Sequence, residues 1–228
     1  MNMNESKPTM PKLPGDPDKM LICEIYQSIQ GEGPQMGLPS VFVRVTGCPL
    51  RCNWCDEKRA LNEGTVMTID EIMEKVASFP PKNVCLTGGE PLAHEQAGTL
   101  MERLAKAGYK VLLETNGAMP LDGVPRLPEI EISMDIKCPS SGMEKRMRFE
   151  NLKLLRKGDL IKFVVADRRD YTYAKDIMGK YEIPCSIVIQ PEGGRNMLPL
   201  VSWVIEDGLD VRVLPQLHKM IWGDKKGV

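Results

Sequence analysis

Short apolar runs, rich in β-branched residues, recur along the chain and alternate with stretches of helical spacing. The runs predict strands at 21–26, 41–45, 83–87, 110–115, 131–136, 160–165, 185–189 and 210–214. Helices are predicted at 95–107, 149–157, 170–180 and 196–207. One more helix opens at Thr68, because Glu71 stands three residues later and completes a capping box. Strands that alternate with helices predict crossover connections, and therefore an α/β fold with a mainly parallel sheet.

The length of 228 residues suits one domain, which we expect over residues 20–228. Residues 1–19 carry four prolines and few large apolar residues, so a flexible leader is predicted there. Parallel sheets gather functional groups at the carboxyl ends of their strands. The polar residues that directly follow each apolar run are therefore the first candidates for a functional site.

Charge and hydropathy exclude several classes of protein. The 30 Lys and Arg residues nearly balance 31 Asp and Glu, which gives no reason to expect a nucleic-acid or membrane-surface partner. No apolar run approaches the ~20 residues of a membrane span. No secretory pattern opens the chain either. We therefore expect a cytoplasmic protein with no nucleic acid and no membrane among its partners.

Cysteine is the most informative residue type in this composition. Three of the seven cysteines, Cys48, Cys52 and Cys55, fall within eight residues in the segment GCPLRCNWCD (47–56). In a reducing compartment such crowding indicates metal binding rather than disulfides. The other four lie in or beside predicted strands, where we expect buried small hydrophobic residues: Cys23, Cys85, Cys138 and Cys185.

The three crowded cysteines favour an iron-sulfur cluster over zinc. Three thiolates on one short loop can ligate three irons of a cubane and leave the fourth iron open for another ligand. Structural zinc needs four protein ligands. The chain has only two histidines, His94 and His218, and neither is close to the loop in sequence. A distant fourth ligand would still allow a zinc site.

The spacing Cys-x3-Cys-x2-Cys, with Trp54 before the last cysteine, resembles the signature of the radical S-adenosylmethionine (SAM) superfamily. TGGEP (87–91) follows the next strand, where that family has a GGEP motif that holds the methionyl amino group of SAM. Two glycines allow close backbone approach, and Glu90 can accept a hydrogen bond from an ammonium group. ETNG (114–117) and SMDIK (133–137) end two later strands and are similar to SAM-contacting segments. The resemblance implies an incomplete TIM-like barrel, a 4Fe-4S cluster and SAM.

A narrower resemblance, to the 7-carboxy-7-deazaguanine synthase family, covers roughly residues 20–228. It is carried by YQSIQGEGPQMGLPSVFVRVTGC (26–48), DIKCPSSG (135–142), IQPEGG (189–194) and RVLPQLHKMIWGDKKGV (212–228). The resemblance implies a lyase that converts 6-carboxy-5,6,7,8-tetrahydropterin to 7-carboxy-7-deazaguanine with loss of ammonia, as in queuosine or archaeosine biosynthesis. It also implies Mg2+, a flavodoxin or ferredoxin as reductant, and a homodimer.

Matched residue by residue, this resemblance implies two sets of contacts. The pterin substrate is expected to contact Ile29, Gln30, Gly31, Glu32, Arg44, Thr87 and His218. SAM is expected to contact Trp54, Asp56, Gly89, Glu90, Glu114, Ser133, Met134, Asp135 and Gln190. Glu32 would accept hydrogen bonds from the guanidine-like edge of the pterin, and Arg44 would clamp its carboxylate through a bidentate fork. No catalytic group is expected beyond the cluster and SAM.

One position departs from the family pattern. Two residues after Cys55 the synthases usually have Thr or Ser, whose hydroxyl helps to hold Mg2+, whereas this chain has Glu57. A carboxylate is a good ligand for a hard cation, but it is longer and adds charge. Three interpretations are open: Glu57 binds the metal differently, replaces it, or pairs with Arg59 and leaves the site.

Two other functions compete with the synthase. An enzyme that activates a glycyl-radical protein would have a similar length and cysteine motif. It would not need the IQGEG segment (29–33) or a carboxylate-clamping Arg44. A metal-stabilised binding module would contain the cluster and show no SAM-dependent release of deoxyadenosine.

Overall fold

A computed structural model describes residues 10–194 and 196–228. Its single nine-stranded sheet contains β1 (Lys19–Ile29), β2 (Pro39–Val45), β3 (Thr65–Thr68), β4 (Asn83–Gly88), β5 (Lys110–Thr115), β6 (Ile130–Ile136), β7 (Leu160–Val165), β8 (Ser186–Pro191) and β9 (Arg212–Val213). The α-helices of the described residues are α1 (Ile69–Ala77), α2 (Ala97–Lys106), α3 (Arg168–Lys180), α4 (Leu198–Glu206) and α5 (Leu217–Trp222).

The sheet is open and mainly parallel. The strand order is β3-β1-β2-β4-β5-β6-β7-β8-β9, so the first and last strands of this order do not pair with each other. From β2 to β9 each neighbouring pair is parallel, whereas β1 pairs antiparallel with β2 and β3. This topology confirms the predicted α/β class and the incomplete barrel.

Local sequence explains where the first helix begins. Thr68 caps α1 by accepting from the backbone N–H of Glu71, and the Glu71 side chain accepts in return from the backbone of Thr68. Ile69, Ile72 and Val76 follow at helical spacing and are buried against the sheet. The capping box and the buried face together confirm the predicted start at Thr68.

Four elements differ from their predictions. The strand β3 was not predicted, because it is a four-residue edge strand whose residues are half-exposed or exposed. Helix α5 was not predicted either.

The predicted helix 149–157 is a 3-10 helix over Phe149–Leu154. Within it the buried Asn151 side chain donates to the carbonyl of Met119 at 2.8 Å and accepts from Leu121 N, contacts that compete with a regular helix. The last predicted strand is reduced to the two residues of β9.

The two faces of the sheet bury different sets of side chains. A large apolar cluster fills the space between the sheet and the helices. A much smaller cluster, Phe42, Cys85 and Leu112 with Tyr26 packed against it, lies on the opposite face. Tyr26, Phe42 and Cys85 of this inner cluster line a cavity on that face of the sheet.

Residues 10–18 have no regular secondary structure but contact the domain. Gln96 Nε2 donates to the carbonyl of Asp16 at 2.7 Å, and Ile69 N donates to that of Asp18 at 2.9 Å. Residues 1–9, which carry the first part of the predicted leader, lie outside the described residues. No helix in the described ranges is long and apolar enough to cross a membrane.

Candidate active site

A cavity of about 460 Å³ opens on the inner face of the sheet. Alternate residues of neighbouring strands reach it, because side chains two apart point to the same face. The strand register aligns Arg44 with Thr87, Asp135 with Lys162, and Val164 with Gln190. All seven residues predicted to contact the pterin line this cavity, as do the three cysteines of the 47–56 loop and Glu57.

The cysteine loop follows directly from the carboxyl end of β2. It is tied to a neighbouring loop by Asn53, whose backbone N–H donates to Ser141 O at 3.1 Å and whose side chain donates to Ser140 O at 2.8 Å. Asn116 Nδ2, from the ETNG segment, lies 3.4 Å from the sulfur of Cys48. These hydrogen bonds fix the backbone of the loop, so the three thiols are held in position at the cavity wall.

The two glycines of TGGEP allow the strand ends to meet closely. A Cβ on Gly88, where φ is +135°, would lie 2.2 Å from Val45 O. A Cβ on Gly89 would lie 2.2 Å from Gly47 O. Because any side chain would collide with the backbone beside the cysteine loop, glycine is required at both positions.

Glu90 is completely buried and joins two loops. Its Oε1 accepts from Leu92 N at 3.0 Å and from Thr115 Oγ1 at 2.8 Å, and its Oε2 accepts from Asn116 N at 2.7 Å. Burial raises the pKa of Glu90 to about 7, against the hydrogen bonds that favour the charged form. The side chain thus fixes the end of β5 to the GGEP turn.

Lys162, which sequence reasoning missed, stands at the centre of the buried charges. Its Nζ is hydrogen-bonded to Glu32 Oε2 and lies 3.2 Å from Glu114 Oε2 and 3.2 Å from Asp135 Oδ1. Asp135 is also paired with Lys137. Burial would lower the pKa of Lys162, but the surrounding carboxylates raise it well above its ordinary value. When all five groups are ionised, the three carboxylates and two ammonium groups sum to one negative charge, which suits a cationic ligand.

The three carboxylates do not share Lys162 equally. Of the three carboxylates, Glu32 makes the shortest contact with Lys162. Burial alone would raise the pKa of Glu32, but Lys162 lowers it to about 2. Burial raises the pKa of Glu114 to about 7, and the neighbouring Glu32 and Asp135 charges add to that effect. Glu32 is therefore ionised at neutral pH, whereas Glu114 is close to its midpoint.

Several buried acceptors in this region have no hydrogen-bond partner within the described residues. They are Glu114 Oε1 and Gln190 Oε1, which belong to cavity-lining residues, and Ser133 Oγ, which lies close under the IQGEG loop. Buried polar atoms are normally satisfied. These atoms fit a ligand that presents hydroxyl or ammonium donors, as the ribose and methionyl groups of SAM do.

The IQGEG segment brings further acceptors to the cavity. Gln216 Nε2 donates to Glu32 Oε1 at 2.6 Å, and Gln190 Nε2 donates to Oε2 at 3.2 Å. With Lys162, the two carboxylate oxygens accept three hydrogen bonds, and a carboxylate offers about four acceptor sites. Gln30 Nε2 donates to the sulfur of Cys85 at 3.3 Å, so this cysteine supports a predicted substrate contact besides filling the core.

Arg44 and Glu57 both have ionic partners. Arg44 Nε donates to Glu24 Oε1 at 2.8 Å and its Nη2 donates to Tyr26 Oη at 2.9 Å. Glu57 accepts from Arg59 at both oxygens, at 2.9 and 2.7 Å. Of the three interpretations of Glu57, the geometry favours the ion pair with Arg59, although the carboxylate remains at the cavity wall.

The C-terminal segment covers one side of the cavity. Leu217 N donates to Gly31 O at 3.0 Å, and a Cβ on Gly31 would lie only 2.2 Å from His218 Nδ1. Lys219 Nζ donates to Asp56 Oδ1 at 2.6 Å, which ties α5 to the cysteine loop. Helix α5 therefore bridges the IQGEG segment and the cysteine loop.

Three residues predicted to contact SAM do not line the cavity: Glu90, Ser133 and Met134. The Met134 side chain is buried in the large apolar cluster on the other face, because it alternates with Ser133 and Asp135 along β6. The Met134 side chain therefore points away from the cavity, and the predicted contact of this residue with SAM could come only from its backbone. Glu90 is held by the contacts described above.

The cysteine loop does not resemble a closed zinc site. Within residues 10–194 and 196–228, no three His, Cys, Asp or Glu side chains are placed to hold a single metal ion. His94 Nε2 lies 2.8 Å from the carbonyl of Thr46, as a structural histidine would. Three thiols line one cavity, beside the buried acceptors that have no hydrogen-bond partner within the described residues. This arrangement fits a cluster with an open iron and an organic ligand.

Comparison with known proteins agrees with this chemistry. A sequence model of the Radical SAM superfamily matches residues 42–162. The 7-carboxy-7-deazaguanine synthase of Thermoplasma acidophilum is 40% identical over 209 residues, which cover 92% of this chain and 100% of the relative. That of Koribacter versatilis is 41% identical over 228 residues, with the same coverage. The crystal structure of QueE from Escherichia coli shares the fold, with a TM-score of 0.72 at 23% identity over 88% of this chain and 95% of that one.

Fold, cysteine loop and sequence model together define a radical SAM enzyme, a class that uses a 4Fe-4S cluster and SAM. The similarity to individual relatives is more specific than the class. Since it extends over 92% of the chain at 40% identity, the chain belongs to the 7-carboxy-7-deazaguanine synthase family.

Proposed function

We propose that this enzyme converts 6-carboxy-5,6,7,8-tetrahydropterin to 7-carboxy-7-deazaguanine with loss of ammonia. The observation that carries the proposal is a single cavity that contains both the cysteine loop and the IQGEG segment. The names of the relatives supply the product, and the cavity supplies groups suited to both ends of the substrate. An enzyme that activates a glycyl-radical protein would not need the contacts from the IQGEG segment and Arg44.

The proposal places the cofactors at one side of the cavity. Cys48, Cys52 and Cys55 would hold the cluster, which when bound supplies the electron for the cleavage of SAM. Glu114 and Gln190 would accept hydrogen bonds from SAM through the oxygens that have no partner in the described protein. When Glu114 is ionised, the excess negative charge around Lys162 would favour the sulfonium cation.

The pterin would lie between Glu32 and Arg44. Glu32, which Lys162 keeps ionised, has about one acceptor site left for the guanidine-like edge of the pterin. Arg44 uses two of its five N–H donors on Glu24 and Tyr26, which leaves three for the substrate carboxylate. Its guanidinium would therefore be fixed in orientation before the substrate arrives.

Two partners complete the proposal. A flavodoxin or ferredoxin would deliver the electron, and two copies would form a homodimer. The family resemblance supports both. It also implies Mg2+, and the ion pair of Glu57 with Arg59 bears on that metal.

Anaerobic turnover of the reconstituted enzyme tests the function. With SAM, a reductant and the carboxytetrahydropterin, we expect deoxyadenosine together with 7-carboxy-7-deazaguanine and ammonia, identified by mass spectrometry. The Cys55→Ala variant is the control and should release none of the three. Deoxyadenosine release by the unmodified enzyme without any deazaguanine would show that the substrate is a different one.

A further inference from the structure

A row of alternating charges runs from the cysteine loop to Arg44. Arg59 donates to Glu57 from Nε at 2.9 Å and from Nη2 at 2.7 Å. The same Nη2 lies 3.3 Å from Glu24 Oε2, and Glu24 Oε1 accepts from Arg44 Nε at 2.8 Å. Two guanidinium groups and two carboxylates alternate, so their charges cancel.

The position of Arg59 Nη2 is that of a bridging cation. It stands between an oxygen of Glu57 and an oxygen of Glu24, both largely buried, with exposed side-chain fractions of 9% and 18%. Mg2+ in proteins is commonly bound by one or two carboxylates and several waters. A divalent ion at this place would meet the guanidinium charge, so the ion and Arg59 exclude each other.

Glu57 contacts the Arg59 guanidinium with both of its carboxylate oxygens. If Arg59 were removed, the two partly buried carboxylates Glu24 and Glu57 would be left with only the positive charge of Arg44. The pair therefore needs one further cation, and the chain itself supplies it.

We propose that Arg59 is a built-in cation, a positioning residue that takes the place of a divalent metal between Glu57 and Glu24 and, through Glu24, fixes the orientation of Arg44. Arg59 does not line the cavity and acts only through its partners. The role of Arg44 toward a carboxylate rests on the proposed function, whereas the exclusion of a cation from this gap does not.

The test is a titration of the reconstituted, SAM-loaded enzyme with Mn2+, followed by the loss of the free-ion signal in electron paramagnetic resonance. Wild type should bind no Mn2+ in this gap. Arg59→Gln should gain one site, and the double variant Arg59→Gln/Glu57→Gln should lose it again. The matched control is Arg103→Gln, which removes an exposed ion pair between Arg103 of α2 and Asp70 of α1. It should bind Mn2+ as wild type does.

Turnover gives the second readout. Without divalent ions, Arg59→Gln should raise the KM for the pterin roughly tenfold, the factor that corresponds to 1.4 kcal/mol of binding free energy. Its kcat should change less, and added Mg2+ should restore the KM. Wild-type turnover should not depend on a cation at this gap.

Two results would overturn the inference: Mn2+ binding by wild type that Glu57→Gln abolishes, or an Arg59→Gln variant that gains no site. If wild type makes no deazaguanine, the proposed function fails. The Mn2+ titration still decides the role of Arg59 in that case.

Discussion

A single lysine organises the charged half of the cavity. Lys162 contacts Glu32, Glu114 and Asp135, and even with Lys137 beside Asp135 two cations cannot neutralise three carboxylates. Glu114 is the carboxyl group that is least compensated, because its contact with Lys162 is longer than that of Glu32 and it has no second cation beside it among the ion pairs of the described residues. Burial raises the pKa of Glu114 from 4.5 to about 7, so its ionised form is the less stable one in the folded protein.

This shift predicts how stability depends on pH. Below pH 4.5 Glu114 is protonated in both the folded and the unfolded state, so its stabilising contribution is fully present there. The contribution is lost as pH rises through about 7, because the unfolded state releases the proton first. In the SAM-free protein, Glu114→Gln should therefore be more stable than wild type at pH 8, by about 3 kcal/mol, and similar to it at pH 4.5.

Urea unfolding at several pH values measures this effect. The exposed Glu95→Gln is the matched control, since it also removes one carboxylate but no buried charge. It should follow the wild-type pH dependence. Parallel curves for Glu114→Gln and wild type would mean that folding does not raise the pKa of Glu114.

Other residues show why the site could be predicted only in part. The cysteines and Glu90 were found because short motifs with fixed spacing carry them. Lys162 was missed, because it lies in a buried strand run and meets Glu32 across 130 positions of sequence. Gln216 meets Glu32 across 184 positions. Pairings of this kind depend on strand order and register, which local patterns do not contain.

At the level of elements, prediction succeeded where the cause is local. The capping box of α1 and the apolar runs of β4 to β8 are complete within a few residues. Helix α5 has no such local cause, since it has only six residues and no capping side chain. Its position depends on Gly31, which belongs to a segment far away in sequence. Tertiary contact rather than propensity therefore positions this helix.

The contact with Gly31 gives a prediction for α5. In Gly31→Ala the added methyl group would lie 2.2 Å from His218 Nδ1 and 3.0 Å from His218 N, so the backbone of the helix has to move away. We expect α5 to be cleaved faster in limited proteolysis and the KM for the pterin to rise several-fold. SAM cleavage without the pterin should change less, because the cysteine loop keeps its other contacts.

Gly123→Ala is the matched control, since a methyl group there meets nothing within 4 Å. Its proteolysis pattern and KM should equal those of wild type. Unchanged proteolysis of Gly31→Ala would show that the segment accommodates the methyl group without leaving the cavity.

The whole molecule separates stability from chemistry by the two faces of its sheet. The face toward the helices buries nearly all of the large apolar cluster. The inner face carries a much smaller apolar cluster and presents many polar and charged groups to the cavity. An open sheet allows this division, because its unpaired edges leave room for a ligand where a closed barrel would be packed with side chains. The core should therefore tolerate changes in the cysteine loop.

Two substitutions test this separation. Cys55→Ala should abolish the visible absorption of the reconstituted cluster and SAM cleavage, because the cluster would lose one of its ligands. Its far-ultraviolet circular dichroism should match cluster-free wild type, and its free energy of unfolding should stay within about 0.5 kcal/mol. Leu113→Ala, in the large cluster and fully buried, should instead lose about 2–5 kcal/mol of stability. If Cys55→Ala were as unstable as Leu113→Ala, the cysteine loop would be part of the structural core and the division between the two faces would be wrong.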